Sequence, residues 1–216
     1  MARPLLLGHR GARASRHIPE NTLASFELCL QHGCDGFEFD VRRSRDGQAV
    51  ICHDASIAGI SIAKTAAKSL PLPTLEEVLR KFAYRAFLDI ELKVAGLEEL
   101  TLAALSKLPP QSGYVVSSFL PDVLAAIHGL DPTIPLGFLY ETRNRRLGWR
   151  ESPAEWVIPQ FELVDRELVE TVHAAEKKIM AWTVNHAGRM REFAAWGVDA
   201  IISDETGRLT NVLSAP

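Results

Sequence analysis

Short apolar runs alternate along the chain with longer amphipathic stretches. Leu5–Gly8 is the first such run and leads directly into His9. A 3.6-residue period then predicts a helix over 22–32, with Leu23, Phe26, Cys29 and Leu30 on the buried stripe. Asn21 or Thr22 is its natural cap and Gly33 its natural stop. The runs 36–41 and 48–52 read as two halves of one strand broken by the turn Arg45-Asp46-Gly47. Further strands are predicted at 87–92, 114–117, 135–140, 156–159, 179–184 and 199–203. Helical patterns fall at 74–82, 97–107, 122–128, 165–177 and 189–196. Strand followed by helix, about eight times in one chain, predicts a parallel sheet with crossover helices. The count favours closure into a (β/α)8 barrel, the TIM-barrel form of the α/β class, over an open sheet. The stretch 55–73 has no period and reads as a short insertion after the second strand, lying over one face of the barrel.

A length of 216 residues suits one domain spanning 1–216, and 47% hydrophobic residues is enough for a sizeable core. The formal net charge of −3 gives no reason to expect nucleic acid or an anionic membrane as partner. The apolar run at the start is too short for a signal peptide, and no stretch is long enough for stable membrane insertion. Cys29, Cys34 and Cys52 form a sparse set without zinc-type spacing, as expected for buried thiols in a reducing cytoplasm. Oligomeric state stays open.

The chemistry concentrates where the barrel reading places strand ends: His9-Arg10, Glu38-Phe39-Asp40, His53-Asp54, Asp89-Ile90-Glu91-Leu92-Lys93, Trp182-Thr183-Val184-Asn185 and Ser203-Asp204. Glu38 and Asp40 are two apart on one strand, so their side chains share a face. Glu91, with Asp89 two positions deeper, adds a third carboxylate on a neighbouring strand. Such a cluster either holds a hard divalent cation, Mg2+ or Ca2+, or pairs with Arg10, Lys93 or Arg42 in an ion network. The third carboxylate favours metal. Two imidazoles beside that cluster, His9 and His53, can supply the base and the acid that phosphodiester cleavage requires. Arg10 and Lys93 are positioned to neutralise phosphate oxygens, and Phe119 and Trp182 to line a substrate pocket or pack the barrel. Asn21 reads as a helix cap, and Asp54 as a turn residue able to orient His53.

In order along the chain stand His9-Arg10-Gly11, Pro19-Glu20-Asn21-Thr22, Phe37-Glu38-Phe39-Asp40-Val41, Arg45-Asp46-Gly47 and Val50-Ile51-Cys52-His53-Asp54. Leu72-Pro73-Thr74-Leu75, Asp89-Ile90-Glu91-Leu92-Lys93, Ser117-Ser118-Phe119, Trp182-Thr183-Val184-Asn185 and Gly197-Val198-Asp199 follow. Together these segments resemble the glycerophosphodiester phosphodiesterase family over nearly the whole chain. The resemblance implies a metal-dependent barrel enzyme that releases glycerol 3-phosphate and a free alcohol from a small glycerophosphodiester. It implies one divalent cation on Glu38, Asp40 and Glu91, His9 and His53 as acid and base, and Arg10 and Lys93 on the phosphate. The 55–73 stretch is short for the family's insertion, and the 13–17 loop is more basic than the family pattern. The rivals are a related phosphodiesterase acting on lysophospholipids and a catalytically silent barrel binding a phosphorylated metabolite. The filled set of acid, base, ligand and phosphate-holding positions speaks against the silent barrel.

Overall fold

The computed structural model describes residues 3–213. Residues 1–2 and 214–216, which belong to the expected 1–216 domain and, at the start, to the stretch read for a signal peptide, lie outside the described residues. Eight parallel strands form the wall of a barrel: β1 (Leu5–Gly8), β2 (Gly36–Arg43), β6 (Phe87–Leu92), β7 (Tyr114–Ser118), β8 (Leu136–Tyr140), β9 (Trp156–Pro159), β10 (Lys178–Ala181) and β11 (Ala200–Ser203). β1 pairs with β11 on one side and with β2 on the other, which closes the ring. The expected TIM barrel is the observed fold.

Alternation of side chains along each strand divides the core in two. Outward residues such as Phe37, Phe39 and Val41 meet the helical layer, where Phe26 of α1 (Leu23–Gln31) stacks on Phe37 at a ring separation of 4.3 Å. Inward residues Leu7, Phe87, Val115, Leu139, Trp156, Ile158, Met180, Ala200 and Ile202 fill the barrel. The inward positions of β2 and β6 are different: above Gly36 and Phe87 they are Glu38, Asp40, Asp89 and Glu91. A Cβ at Gly36 would lie 1.9 Å from the Phe87 carbonyl oxygen, so only glycine permits the two strands to meet there. The register sets Glu38 opposite Asp89 and Asp40 opposite Glu91. One sector of an apolar interior is thus lined with four carboxyl groups.

Helices α2 (Leu75–Phe82), α3 (Glu98–Lys107), α4 (Pro121–Leu130), α5 (Arg166–Ala174) and α6 (Ala187–Trp196) pack outside, with α7 (Thr206–Leu213) after the last strand. Thr22 caps α1 by accepting from Ser25 N–H at 3.2 Å, and Thr74 with Glu77 forms a reciprocal capping box on α2.

One expectation is corrected, and three features add to the picture. The runs 36–41 and 48–52 are not halves of one strand. β2 and β3 (Ala49–Ile51) form an antiparallel hairpin, because the 44–48 turn reverses the chain and returns it along β2. The 55–73 stretch is ordered: β4 (Ser56–Ile57), β5 (Ile60–Ser61) and two 3-10 turns bury Ile62 and Leu70 against Val50. β8 and β9 are joined by 3-10 turns at Arg143–Arg145 and Gly148–Arg150 in place of a crossover helix. The helical pattern of α7 was not anticipated. Among the described residues, no helix is long and apolar enough to cross a membrane.

Candidate active site

β2 and β6 deliver the carboxylates. One ligand oxygen each from Glu38, Asp40 and Glu91 lies within 4.8 Å of the others, and all three residues are buried. Glu38 Oε1 is a buried oxygen with no hydrogen-bond partner among the described residues, and Asp40 Oδ1 has no hydrogen bond but only the Lys93 ammonium at 3.4 Å. Orphaned oxygens of this kind cost free energy unless something electropositive sits against them. Burial, then repulsion from Asp40 and Glu91, pushes the Glu38 carboxyl far above its ordinary range. Burial and Asp40 push Glu91 to about 8, and burial brings Asp89 to about 7 despite the Ser117 hydroxyl donating to it at 2.6 Å. The donor set is all oxygen, partly unpaired and mutually repelling, which is the set a hard divalent cation needs. The residues fit a metal.

Asp40 is the exception, and its neighbours explain why. Burial works to raise its pKa, but Lys93, Arg10 and the Asn21 amide together hold it below the ordinary range. Arg10 Nε lies 3.2 Å from Asp40 Oδ2, and Lys93 Nζ lies 3.4 Å from Asp40 Oδ1 and 2.7 Å from Glu91 Oε1. Both cations sit at the carboxylate cluster and balance its charge. Asn21 does not cap α1, which Thr22 does. Its Nδ2 donates to Asp40 Oδ2 at 2.8 Å and its Oδ1 accepts from Asp40 N–H at 3.3 Å, which fixes the carboxylate in place. Backbone geometry supports the arrangement. Arg10 has φ +53°, which turns its N–H onto Glu38 Oε2 at 3.0 Å. Gly11 follows at φ +81°, where a Cβ would lie 2.4 Å from Ser25 Oγ.

His9 follows β1 directly, with its ring buried. Its Nδ1 hydrogen-bonds Asp204 Oδ1 at 2.7 Å, leaving Nε2 turned toward Glu38 Oε2 at 3.9 Å. Burial lowers the imidazole pKa, with Asp204 partly offsetting the effect. Asp204 is held in turn: Asn185 Nδ2 donates to Oδ2 at 2.7 Å, Arg13 donates to Oδ1 at 3.2 Å, and Asn185 Oδ1 accepts the Asp204 N–H at 2.9 Å. Burial works to raise the Asp204 carboxyl, yet the hydrogen bond from His9 and the other donors take it well below the ordinary range. The sequence marked Asp204 as a strand-end residue without a role. Its partnership with His9 spans 195 positions, beyond any local pattern. His53 follows β3, with Nδ1 at 2.8 Å from Asp54 Oδ1 and its carbonyl accepting from Arg42. Asp54 therefore contacts the ring, though its side chain is mostly exposed.

These elements open on one cavity of about 290 Å³. His9, Arg10, Glu38, His53, Glu91 and Lys93 line one part of it, and Phe119, Trp182, Leu139 and Ile202 the other. Asp40, held by Asn21, lies behind this lining. Phe119 and Trp182 meet edge to face at 5.5 Å, so the two aromatic candidates both pack together and face the cavity. Glu141, at the end of β8, also lines it, although no motif or period in the sequence distinguished this residue. The cavity thus joins two cationic side chains, two imidazoles and a metal-type carboxylate cluster.

Comparison with known proteins agrees with this geometry. The sequence profile of the glycerophosphoryl diester phosphodiesterase family matches residues 9–113 and 63–208. A glycerophosphodiester phosphodiesterase of Caldanaerobacter subterraneus is 28% identical over 240 aligned positions, covering 97% of each chain. The crystal structure of the Thermotoga maritima glycerophosphodiester phosphodiesterase superposes with TM-score 0.86 at 22% identity, covering 98% of this chain and 99% of that one. An Oleispira antarctica phosphodiesterase, solved with its product sn-glycerol-3-phosphate, superposes with TM-score 0.84 at 28% identity, covering 99% and 98%. With the family profile matched across most of its length and the barrel shared throughout, the chain belongs to the glycerophosphoryl diester phosphodiesterase family.

Proposed function

We propose that this protein hydrolyses glycerophosphodiesters to glycerol 3-phosphate and an alcohol, using one divalent cation, Mg2+ or Ca2+, held by Glu38, Asp40 and Glu91. The observation that carries the reading is the buried carboxylate cluster with orphaned oxygens, opening on the same cavity as two histidines and two cations. When bound, the cation supplies Lewis-acid stabilisation of charge at the phosphate and eases ionisation of a neighbouring hydroxyl. Arg10 and Lys93 donate to the non-bridging phosphate oxygens and orient the phosphorus for in-line attack. The Asp204 contact directs the Nε2 of His9 into the site, so His9 takes the proton from the attacking oxygen. His53, in the loop after β3 and partly exposed, gives a proton to the departing alkoxide as the P–O bond breaks, and water then opens the cyclic phosphate left by attack of the glycerol hydroxyl to give glycerol 3-phosphate. Apolar contacts from Phe119 and Trp182 limit water in the inner cavity.

The test is glycerol 3-phosphate release from glycerophosphocholine by purified, metal-stripped protein with Mg2+ or Ca2+ restored. Release that depends on the added cation supports the reading and identifies the working ion. No release with either ion, under conditions where the protein is folded, refutes it.

A further inference from the structure

The basic loop 13–17 is used by no step of the proposed reaction, yet it sends one arginine between two parts of the site. Arg13 Nε lies 2.5 Å from Glu20 Oε2, and its Nη1 lies 3.2 Å from Asp204 Oδ1. Each of these carboxylates has a second partner that lines the cavity. Glu20 Oε1 accepts from Arg10 Nη1 at 2.8 Å, and Asp204 Oδ1 is hydrogen-bonded to His9 Nδ1 at 2.7 Å. One unbroken chain of polar contacts thus runs from Arg10 through Glu20, Arg13 and Asp204 to His9. Arg16, the loop's other arginine, is exposed and stands outside this chain.

The backbone holds the bridge in place. Ala12 N–H donates to the Ser25 carbonyl at 3.1 Å, Ala14 N–H to the Asp204 carbonyl at 3.2 Å, and Asn21 N–H to the Arg10 carbonyl at 3.0 Å. Arg13 therefore extends from a pinned loop, and its planar fork reaches two carboxylates at once, which a compact ammonium does less well. Burial works to raise the Glu20 carboxyl, but hydrogen bonds from Arg10 and Arg13 hold it below its ordinary range, so it stays charged. Arg10 is stretched between Glu20 and Asp40, with Nε 3.2 Å from Asp40 Oδ2. Without Glu20 its guanidinium has only the carboxylate cluster to turn to, and a phosphate loses a fixed donor. Neither Arg13 nor Glu20 lines the cavity, so both act through their partners. We propose that Arg13 is a positioning residue that holds Glu20 and Asp204 together, fixing Arg10 for the phosphate and His9 for proton transfer. This inference rests on the proposed phosphodiesterase reaction.

The experiment measures kcat and KM for glycerol 3-phosphate release from glycerophosphocholine, with the cation restored. It uses wild type, Arg13→Gln, Glu20→Gln, Asp204→Asn and the double variants that pair Arg13→Gln with each of the other two. Arg16→Gln, which removes the same charge from the same loop, is the control. Glu20→Gln should act mainly on KM, through Arg10, and Asp204→Asn mainly on kcat, through His9. Arg13→Gln should do both, raising KM and lowering kcat roughly two- to fivefold each. Its melting temperature should change little, because the Arg13 side chain is partly exposed. Added to Glu20→Gln it should raise KM little further, and added to Asp204→Asn it should lower kcat little further. Arg16→Gln should match wild type. Wild-type kcat and KM in Arg13→Gln, the same change in Arg16→Gln, or full additivity in either double variant overturns the positioning role while leaving the reaction standing. If wild type releases no glycerol 3-phosphate, the proposed reaction fails and the inference falls with it.

Discussion

Replacing Asp204 by Asn tests whether His9 is held for proton transfer or is merely packed at the end of β1. The carboxylate offers two acceptors to three donors: Oδ1 to His9 Nδ1 and Arg13, and Oδ2 to Asn185 Nδ2. An amide has one oxygen. Whichever way it turns, its NH2 group faces either the imidazole N–H or the Asn185 amide N–H, and one hydrogen bond to a charged acceptor is lost. Such bonds contribute about 1.5–3 kcal/mol. If the loss falls on orientation of His9 in the transition state, kcat drops roughly 10- to 150-fold, at 1.36 kcal/mol per tenfold, with KM little changed. The same loss lowers thermal stability by about 2–4 °C per kcal/mol for a chain of this size. The pH dependence follows from the Asp204 carboxyl being held below its ordinary range. Its contribution is complete above the unfolded pKa near ~3.9 and is lost as pH falls toward the folded value. The stability advantage of wild type over Asp204→Asn should therefore be constant from neutral pH down to about 4 and shrink below it. Steady-state kinetics with the cation restored, together with melting curves across pH, make the test. A variant that melts lower yet keeps wild-type kcat would show that Asp204 serves only the fold, and the reasoning about His9 would be wrong.

Glu38→Gln should abolish cation-supported turnover while raising the melting temperature of the metal-free protein, because folding at neutral pH must protonate this buried carboxyl, a cost the amide does not carry; scanning calorimetry with chelator checks the second effect. Since burial and Asp40 lift Glu91 to about 8 and Glu38 is lifted as well, cation binding must displace protons near neutrality. Affinity should rise between pH 6 and 9, and titration calorimetry in buffers of different ionisation enthalpy should report proton release; pH-independent binding would contradict the protonated cluster. His9→Ala and His53→Ala should each lower turnover by about two to four orders of magnitude, and near-full turnover in either would remove that residue from acid–base work. Phe26→Ala opens a hole among Phe37, Phe39 and Phe82 and should cost about 3–5 kcal/mol in urea unfolding, with no effect on KM in the folded fraction.

What the sequence determined by itself follows from the locality of strand geometry. Successive side chains of a strand point to opposite faces, so Glu38 and Asp40 had to share one face and Phe37 and Phe39 the other wherever β2 lay. The same rule linked Asp89, Glu91 and Lys93, and the alternation of apolar runs with amphipathic stretches named the parallel α/β architecture. Helix starts were legible because capping is also local: Thr22 and Thr74 bond to amides three residues on. Only the tertiary structure decided which polar groups became partners. Strand register set Glu38 against Asp89 and Asp40 against Glu91, and barrel closure brought β1 beside β11 so that His9 could reach Asp204. Asn21 was read as a cap because its neighbours in sequence suggested one, whereas the buried Asp40 carboxylate, distant in sequence, claimed its amide. Glu141 gave no signal at all. A lone carboxylate just past a strand is ordinary until the fold places it on the wall of a cavity, because electrostatic coupling depends on distance in space, which is not written in the spacing of residues along the chain.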